Sequence, residues 1–150
     1  MTAEDVIRIL KLEPHPEGGA FRETYRSKIS THTDGSRSAG TAIYFLLRAR
    51  QRSEWHRVAS DEIYHFYFGS PLELSLISPG EDFSKVVLGT RLDMDERPQV
   101  LVPAHYWQSA QAAGGFTLLG CTVSPGFEFA DFEMSDQEKL ESLFPHLKNI

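Results

Sequence analysis

Between Gly18 and Gly126 the chain alternates hydrophobic and polar residues in short runs broken by Gly, Pro, Ser and Asp. The runs are AFRETYRS, TAIYFLL, EWHRV, EIYHFYF, LELSLI, KVVLG, VLVP, HYWQSA, FTLLGCTV and FEFADFE. Short β-type runs at this spacing predict an all-β sandwich or barrel. The two ends read differently. In residues 1–10 Thr2 can cap a helix, Glu4 and Asp5 fill its first turn, and Val6, Ile9 and Leu10 share a face, with Pro14 and Pro16 ending it. Near the C-terminus Ser135 and Glu138 read as a capping box, ahead of a docking stripe of Leu140, Leu143, Phe144 and Leu147. The segment TDGSRSAG, residues 33–40, reads as a hairpin loop. With no repeat or linker, residues 1–150 are expected to form a single domain with a short helix at each end.

Composition narrows the partners. A chain of 150 residues can bury about two thirds of its unfolded surface, so a full core is available. Fifteen Lys and Arg against twenty-one Asp and Glu give a net charge of -6, which argues against a nucleic-acid partner. The short basic cluster of Arg48, Arg50, Arg52 and Arg57 reads as a solvated strand edge. Cys121 stands alone, so no intrachain disulfide framework exists, and no apolar run is long enough to cross a bilayer. The expectation is a cytoplasmic protein with no membrane association.

The candidate chemistry lies in WHRVASDEIYHFYFG, residues 55–69. Strand alternation puts His56 and Val58 on one face and, after a turn at Ala59 to Asp61, puts Glu62, Tyr64, Phe66 and Phe68 on one face, with His65 opposite. If both faces turn inward, His56 and Glu62 meet in a barrel lined by aromatic rings. An imidazole and a carboxylate in such a site suit either a metal ion or a general acid/base pair.

Other positions are read more plainly. In HPEGG the glycines turn the chain into the first strand, and Glu17 tethers the turn. On the following strand Arg22, Thr24 and Arg26 share one side by alternation, and Glu23 and Tyr25 the other. Arg22 and Tyr25 enter the candidate site, Arg22 because a pocket guanidinium can pair a ligand anion bidentately. Tyr64 and Phe66 are candidate pocket walls, while Trp107 should face away from Gln108, into packing between sheets or subunits. Cys121 reads as a buried, inert thiol. The aromatics of SPGFEFADF look structural, and His15, His32 and His146 look solvated.

The spacing of these residues resembles the cupin superfamily. His56, Val58, Glu62 and Gly69 fall where that family's first motif has two histidines, a glutamate and a glycine, and Pro103, His105 and Gln108 fall where its second motif has proline, glycine and histidine. The blocks LEPHPEGGAFRETYRS, WHRVASDEIYHFYFGSPLEL and GGFTLLGCTVSPGFEFADFE are similar to an RmlC-like cupin subfamily of unknown function. The resemblance implies a double-stranded β-helix, that is, a jelly-roll barrel, and a homodimer. It also implies a divalent metal, although Val58 and Gln108 replace two of the usual four ligands and leave His56, Glu62 and Gln108 as the donors. Three functional readings stand together: a small polar metabolite bound by His56, Glu62 and Gln108 with metal-assisted isomerase, epimerase or lyase chemistry; a non-catalytic binding or sensing module; and metal-free sugar epimerisation resembling that of RmlC enzymes, with His56 and Tyr64 as base and acid.

Overall fold

The computed structural model describes residues 1–147 and 150. Two antiparallel sheets face each other. The first has the order β1 (Glu13–Pro14), β2 (Ala20–Arg26), β3 (Thr41–Leu47), β10 (Thr117–Ser124), β5 (Asp61–Gly69) and β8 (Gln99–Val102). The second runs β11 (Glu133–Ser135), β4 (Trp55–Arg57), β9 (Trp107–Ala112), β6 (Leu72–Ile77) and β7 (Phe83–Leu88). Because β4 and β5 are consecutive in the chain but lie in different sheets, His56 and Glu62 approach each other across the barrel. The jelly roll expected from the sequence is present.

Alternation along each strand divides the residues between the barrel interior and two outer layers. Inward positions Phe45, Leu47, Leu72, Leu74, Leu88, Ala110 and Leu119 form the main core, all essentially inaccessible to solvent. Outside the six-stranded sheet, Leu46, Leu118 and Ala20 pack under α1 (Ala3–Leu10), which Thr2 and Asp5 cap reciprocally. Its packed stripe is Val6 with the partly buried Ala3, Ile7 and Leu10; it is as wide as the expected Val6, Ile9 and Leu10 set but rotated towards Ile7, which leaves Ile9 exposed.

Outside the five-stranded sheet, Trp55, Ile77 and Trp107 pack under α2 (Gln137–Leu143) through Leu140 and Ile150. Trp107 therefore packs between a sheet and a helix. The cap of α2 is Asp136, which accepts from the Lys139 N–H, and Ser135 belongs to β11; Leu143 is exposed, while Phe144 and Leu147 join the stripe. Among the described residues no helix is long and apolar enough to cross a membrane.

Two strands break their alternation, and both breaks matter to the site. Between Glu23 and Tyr25 the pairing of β2 with β3 slips by one residue at Thr24, so Glu23 pairs with Ile43 and Tyr25 with the adjacent Ala42. A one-residue bulge reverses which face every later side chain occupies. A second slip, at Tyr67 in β5, turns Phe68 outward although Glu62, Tyr64 and Phe66 point in. Strand β5 ends at Gly69, whose φ of 105° and contact with the Phe116 carbonyl leave no room for a side chain.

Candidate functional site

One end of the barrel interior is a cavity of about 80 Å³, several times what a single water needs. Glu17, His56, Val58, Glu62, Tyr64 and Cys121 reach it from the inside, and Phe21, Phe45, Phe127, Phe129 and Phe132 line its walls.

His56 is held at both ends. Its Nδ1 lies 2.8 Å from the Glu54 carbonyl oxygen, which can only accept, so Nδ1 carries a proton. Its Nε2 lies 3.0 Å from Glu17 Oε2. The Glu54 peptide is itself fixed by Glu17, whose carbonyl accepts from the Glu54 N–H at 2.6 Å. One proton must lie between Nε2 and Oε2. Burial pushes the Glu17 carboxyl well above the usual carboxylate range, reinforced by the nearby Glu62, and pushes His56 down to about 4. Both directions put the proton on Glu17 and leave His56 neutral.

Glu17 reaches the cavity because Gly18 and Gly19 adopt φ of 96° and 80°, turning HPEGG inward ahead of β2. A side chain at Gly19 would approach the Leu46 carbonyl to 2.7 Å. The same turn buries His15, whose Nδ1 accepts from the Glu17 N–H at 3.1 Å and whose ring meets Phe21 edge-on at 4.5 Å. Burial lowers His15 to about 4, so it too is neutral. Glu17 and His15 are the cavity-lining positions that pattern reading missed. Strand alternation carries no information about a turn, and the signal available was a glutamate and a histidine beside a double glycine.

Glu62 stands on the opposite sheet. Gln108 donates from Nε2 to Glu62 Oε1 at 2.8 Å and accepts the Tyr64 hydroxyl on its Oε1 at 2.5 Å. Burial raises Glu62 to about 7, against the opposing pull of the hydrogen bonds from Gln108 and Cys121. Burial likewise raises Tyr64 and Cys121, so phenol and thiol stay protonated.

Of the residues expected in the site, His56, Glu62 and Tyr64 meet at the cavity. Gln108, fully buried, lies behind Glu62 and Tyr64 and orients them without lining the cavity. Phe66 packs deeper, against the main core. Arg22 and Tyr25 lie outside: Arg22 is exposed and donates to the Leu10 carbonyl at the end of α1, and Tyr25 is 58% exposed. Arg22 faces out by plain alternation, because Phe21 and Glu23 on either side of it face the cavity, and the Thr24 bulge then turns Tyr25 away and Arg26 inward.

At the mouth, Arg26 binds both oxygens of Glu23 at 2.9 and 3.0 Å, Glu128 at 3.0 Å and the Phe127 carbonyl at 2.9 Å. The segment from Phe127 to Phe132, expected as a strand, contains a 3-10 turn at Phe129–Asp131 and forms a wall of the cavity. Arg37 secures its far end through Asp131 at 2.5 Å.

The donor set does not fit a metal of the usual cupin kind. Val58 supplies only methyl groups to the cavity. The Gln108 carbonyl oxygen is occupied by Tyr64, and its amino group faces Glu62. Glu17 and His56 are paired with each other while Glu62 stands on the other sheet, and among the described residues no group of three His, Cys, Asp or Glu side chains is placed to hold a metal ion.

Comparison with known proteins agrees with this architecture. Residues 4–135 match the cupin superfamily (DUF985), and the chain belongs to that family. A crystal structure of a protein from Shewanella oneidensis is similar at 41% identity, over 97% of this chain and 92% of that one, with a TM-score of 0.91. A hypothetical protein from Leishmania major shares 34% identity over 99% and 96% of the two chains, with a TM-score of 0.90. Oxalate decarboxylase from Bacillus subtilis, a protein with Mn(II) centres, shares the fold at 13% identity and a TM-score of 0.62, and this chain spans about a third of it. No curated protein matches the sequence.

Proposed function

We propose that this cupin binds a small polar metabolite inside its barrel and moves protons on it, as an isomerase or epimerase does, with Glu62 as the base and the Glu17–His56 pair as the proton store. The carrying observation is that Glu17, His56 and Glu62 converge on one cavity, all buried, without a buried Lys or Arg beside any of them among the described residues. Burying ionisable groups in this way costs stability, and such groups cluster where chemistry needs them.

The division of roles follows from the environments. A carboxyl near 7 is ionised in a substantial fraction at neutral pH and can accept a proton from a C–H bond beside a carbonyl. The acid partner must hold its proton at the same pH, as burial makes Glu17 do. In the reaction the C–H proton passes to Glu62 and its electron pair moves into the carbonyl, whose oxygen takes the Glu17 proton. Reprotonation at carbon reverses the flow and yields the isomer. Gln108 and Tyr64 keep the Glu62 carboxylate aimed at the cavity.

A panel of small hydroxy- and amino-carbonyl compounds, incubated in heavy water, tests this. The expected result is deuterium entering a bound compound with wild-type protein, and a loss of at least a hundredfold in exchange rate in Glu62→Gln with binding retained. Equal exchange in wild type and Glu62→Gln would overturn the role of Glu62. Binding without exchange in either protein would leave a binding module in place of a catalyst.

A further inference from the structure

The charges facing the cavity have one sign to spare. At the mouth Glu23 and Glu128 face the single guanidinium of Arg26, four of whose five N–H donors are engaged by the two carboxylates and the Phe127 carbonyl. Inside, the turn before β2 contributes Glu17 and neutral His15, β4 contributes neutral His56, and β5 contributes Glu62 and Tyr64. The Cys121 thiol comes from β10. The polar groups facing the interior can therefore gain charge most readily by ionisation of Glu17 or Glu62.

An anion entering this space would oppose those ionisations and would find Arg26 already paired with two carboxylates. A cation would favour them. It would turn buried carboxyls, costly as isolated charges, into ion pairs. The apolar walls point the same way. Phe21, Phe45 and Phe132 surround the buried end, Phe127 and Phe129 stand 4.9 Å apart edge-on at the mouth, and aromatic faces attract cations. A primary ammonium brings three donors and no acceptor, matching an interior rich in carboxyl oxygens.

We propose that the ligand is a small amino-carbonyl compound, held through its primary ammonium cation beside Glu62 with its hydrocarbon body against Phe21, Phe45 and Phe132. The inference rests on the reading of the barrel as a metabolite site and names the class of metabolite. It separates this chain from oxalate decarboxylase, whose named substrate is a dianion. Entry of the cation expels the proton from Glu62, so affinity rises with pH through about 7, where Glu62 titrates, and levels off until the amine itself loses its proton near pH 10.

Three probes of similar shape test the proposal: 3-methylbutylamine, 3-methylbutan-1-ol and 3-methylbutanoate. Each is titrated into the whole protein while backbone amide shifts are followed by NMR at pH 6 and pH 8. The expected result is that the amine binds at least tenfold tighter than the alcohol at pH 8, that its affinity falls severalfold at pH 6, and that the carboxylate shifts no cavity resonance. Glu62→Gln should weaken the amine tenfold and leave the alcohol unchanged. If the alcohol or the carboxylate binds in the cavity as tightly as the amine, the amine class is wrong and the metabolite site stands. If none of the three shifts the cavity resonances of the wild type, both readings fall.

Discussion

The two ends of the barrel are built by the same strands and the same inward-facing positions, yet they hold opposite chemistry. Along β5 the inward residues run Glu62, Tyr64, Phe66, and along β9 Gln108, Ala110, Ala112. Within two or three inward positions each strand passes from polar to apolar. The apolar end is filled, and Leu72, Leu74, Leu88 and Leu119 are wholly buried. The polar end is left open around carboxyls that the fold would do better without. A chain selected only for stability would continue the leucines, so the difference is the stability that the proposed site costs.

Mutations at the two ends should separate these roles. The largest effect is expected at the filled end. Leu74→Ala removes a fully buried side chain from the core and should cost about 3 kcal/mol, the same at pH 5 and pH 8, read as a lowered Tm by calorimetry.

At the open end the expected effect is comparable at its limit but depends on pH. The folded state raises Glu62 from 4.5 to about 7, so ionisation favours the unfolded chain. The stability tied to the protonated carboxyl is complete below pH 4.5 and is lost as pH rises through 7, amounting to about 3 kcal/mol by pH 8. Glu62→Gln should abolish that decline, making the variant more stable than wild type at pH 8 and not at pH 4.5. A variant whose denaturation midpoint runs parallel to wild type across this range would refute the burial argument. His15 and His56, both held near 4, act with the opposite sign: their contribution is complete above 6.5 and is lost as pH falls through 4.

The smallest effect belongs to the mouth. Arg26→Ala removes ion pairs that are about 40% exposed, and global stability should change by less than about 1 kcal/mol. Hydrogen exchange should nevertheless quicken in Phe127 to Phe132 relative to Leu72 to Ile77. Unchanged protection of the wall would show that aromatic packing alone holds it.

The contrast also explains what the sequence could tell. The filled end was readable, because a sheet's interior is written with period two and runs such as LELSLI state it directly. His56, Glu62 and Tyr64 followed from the same rule. Arg22, before the bulge in β2, failed because alternation alone does not say which side of the strand faces the cavity. Tyr25 failed at the bulge itself: Thr24 has nothing in its side chain that announces an extra residue, and after it the rule assigns every face wrongly. Phe68 failed in the same way at Tyr67. Glu17 failed for a different reason. It lies on a turn, where direction depends on two glycine dihedrals and on a peptide contact from Glu54, more than thirty residues away.

The wall at the mouth is pinned by arginines from separate parts of the chain, Arg26 near its start and Arg37 through Asp131 near its end. Dissolved salt should therefore act on ligand traffic in two opposing ways. It screens the attraction that draws a cation towards an acidic opening, slowing arrival, and it loosens the ion pairs that keep the wall in place, speeding passage. Association would be fastest at an intermediate ionic strength, with the rate falling on either side.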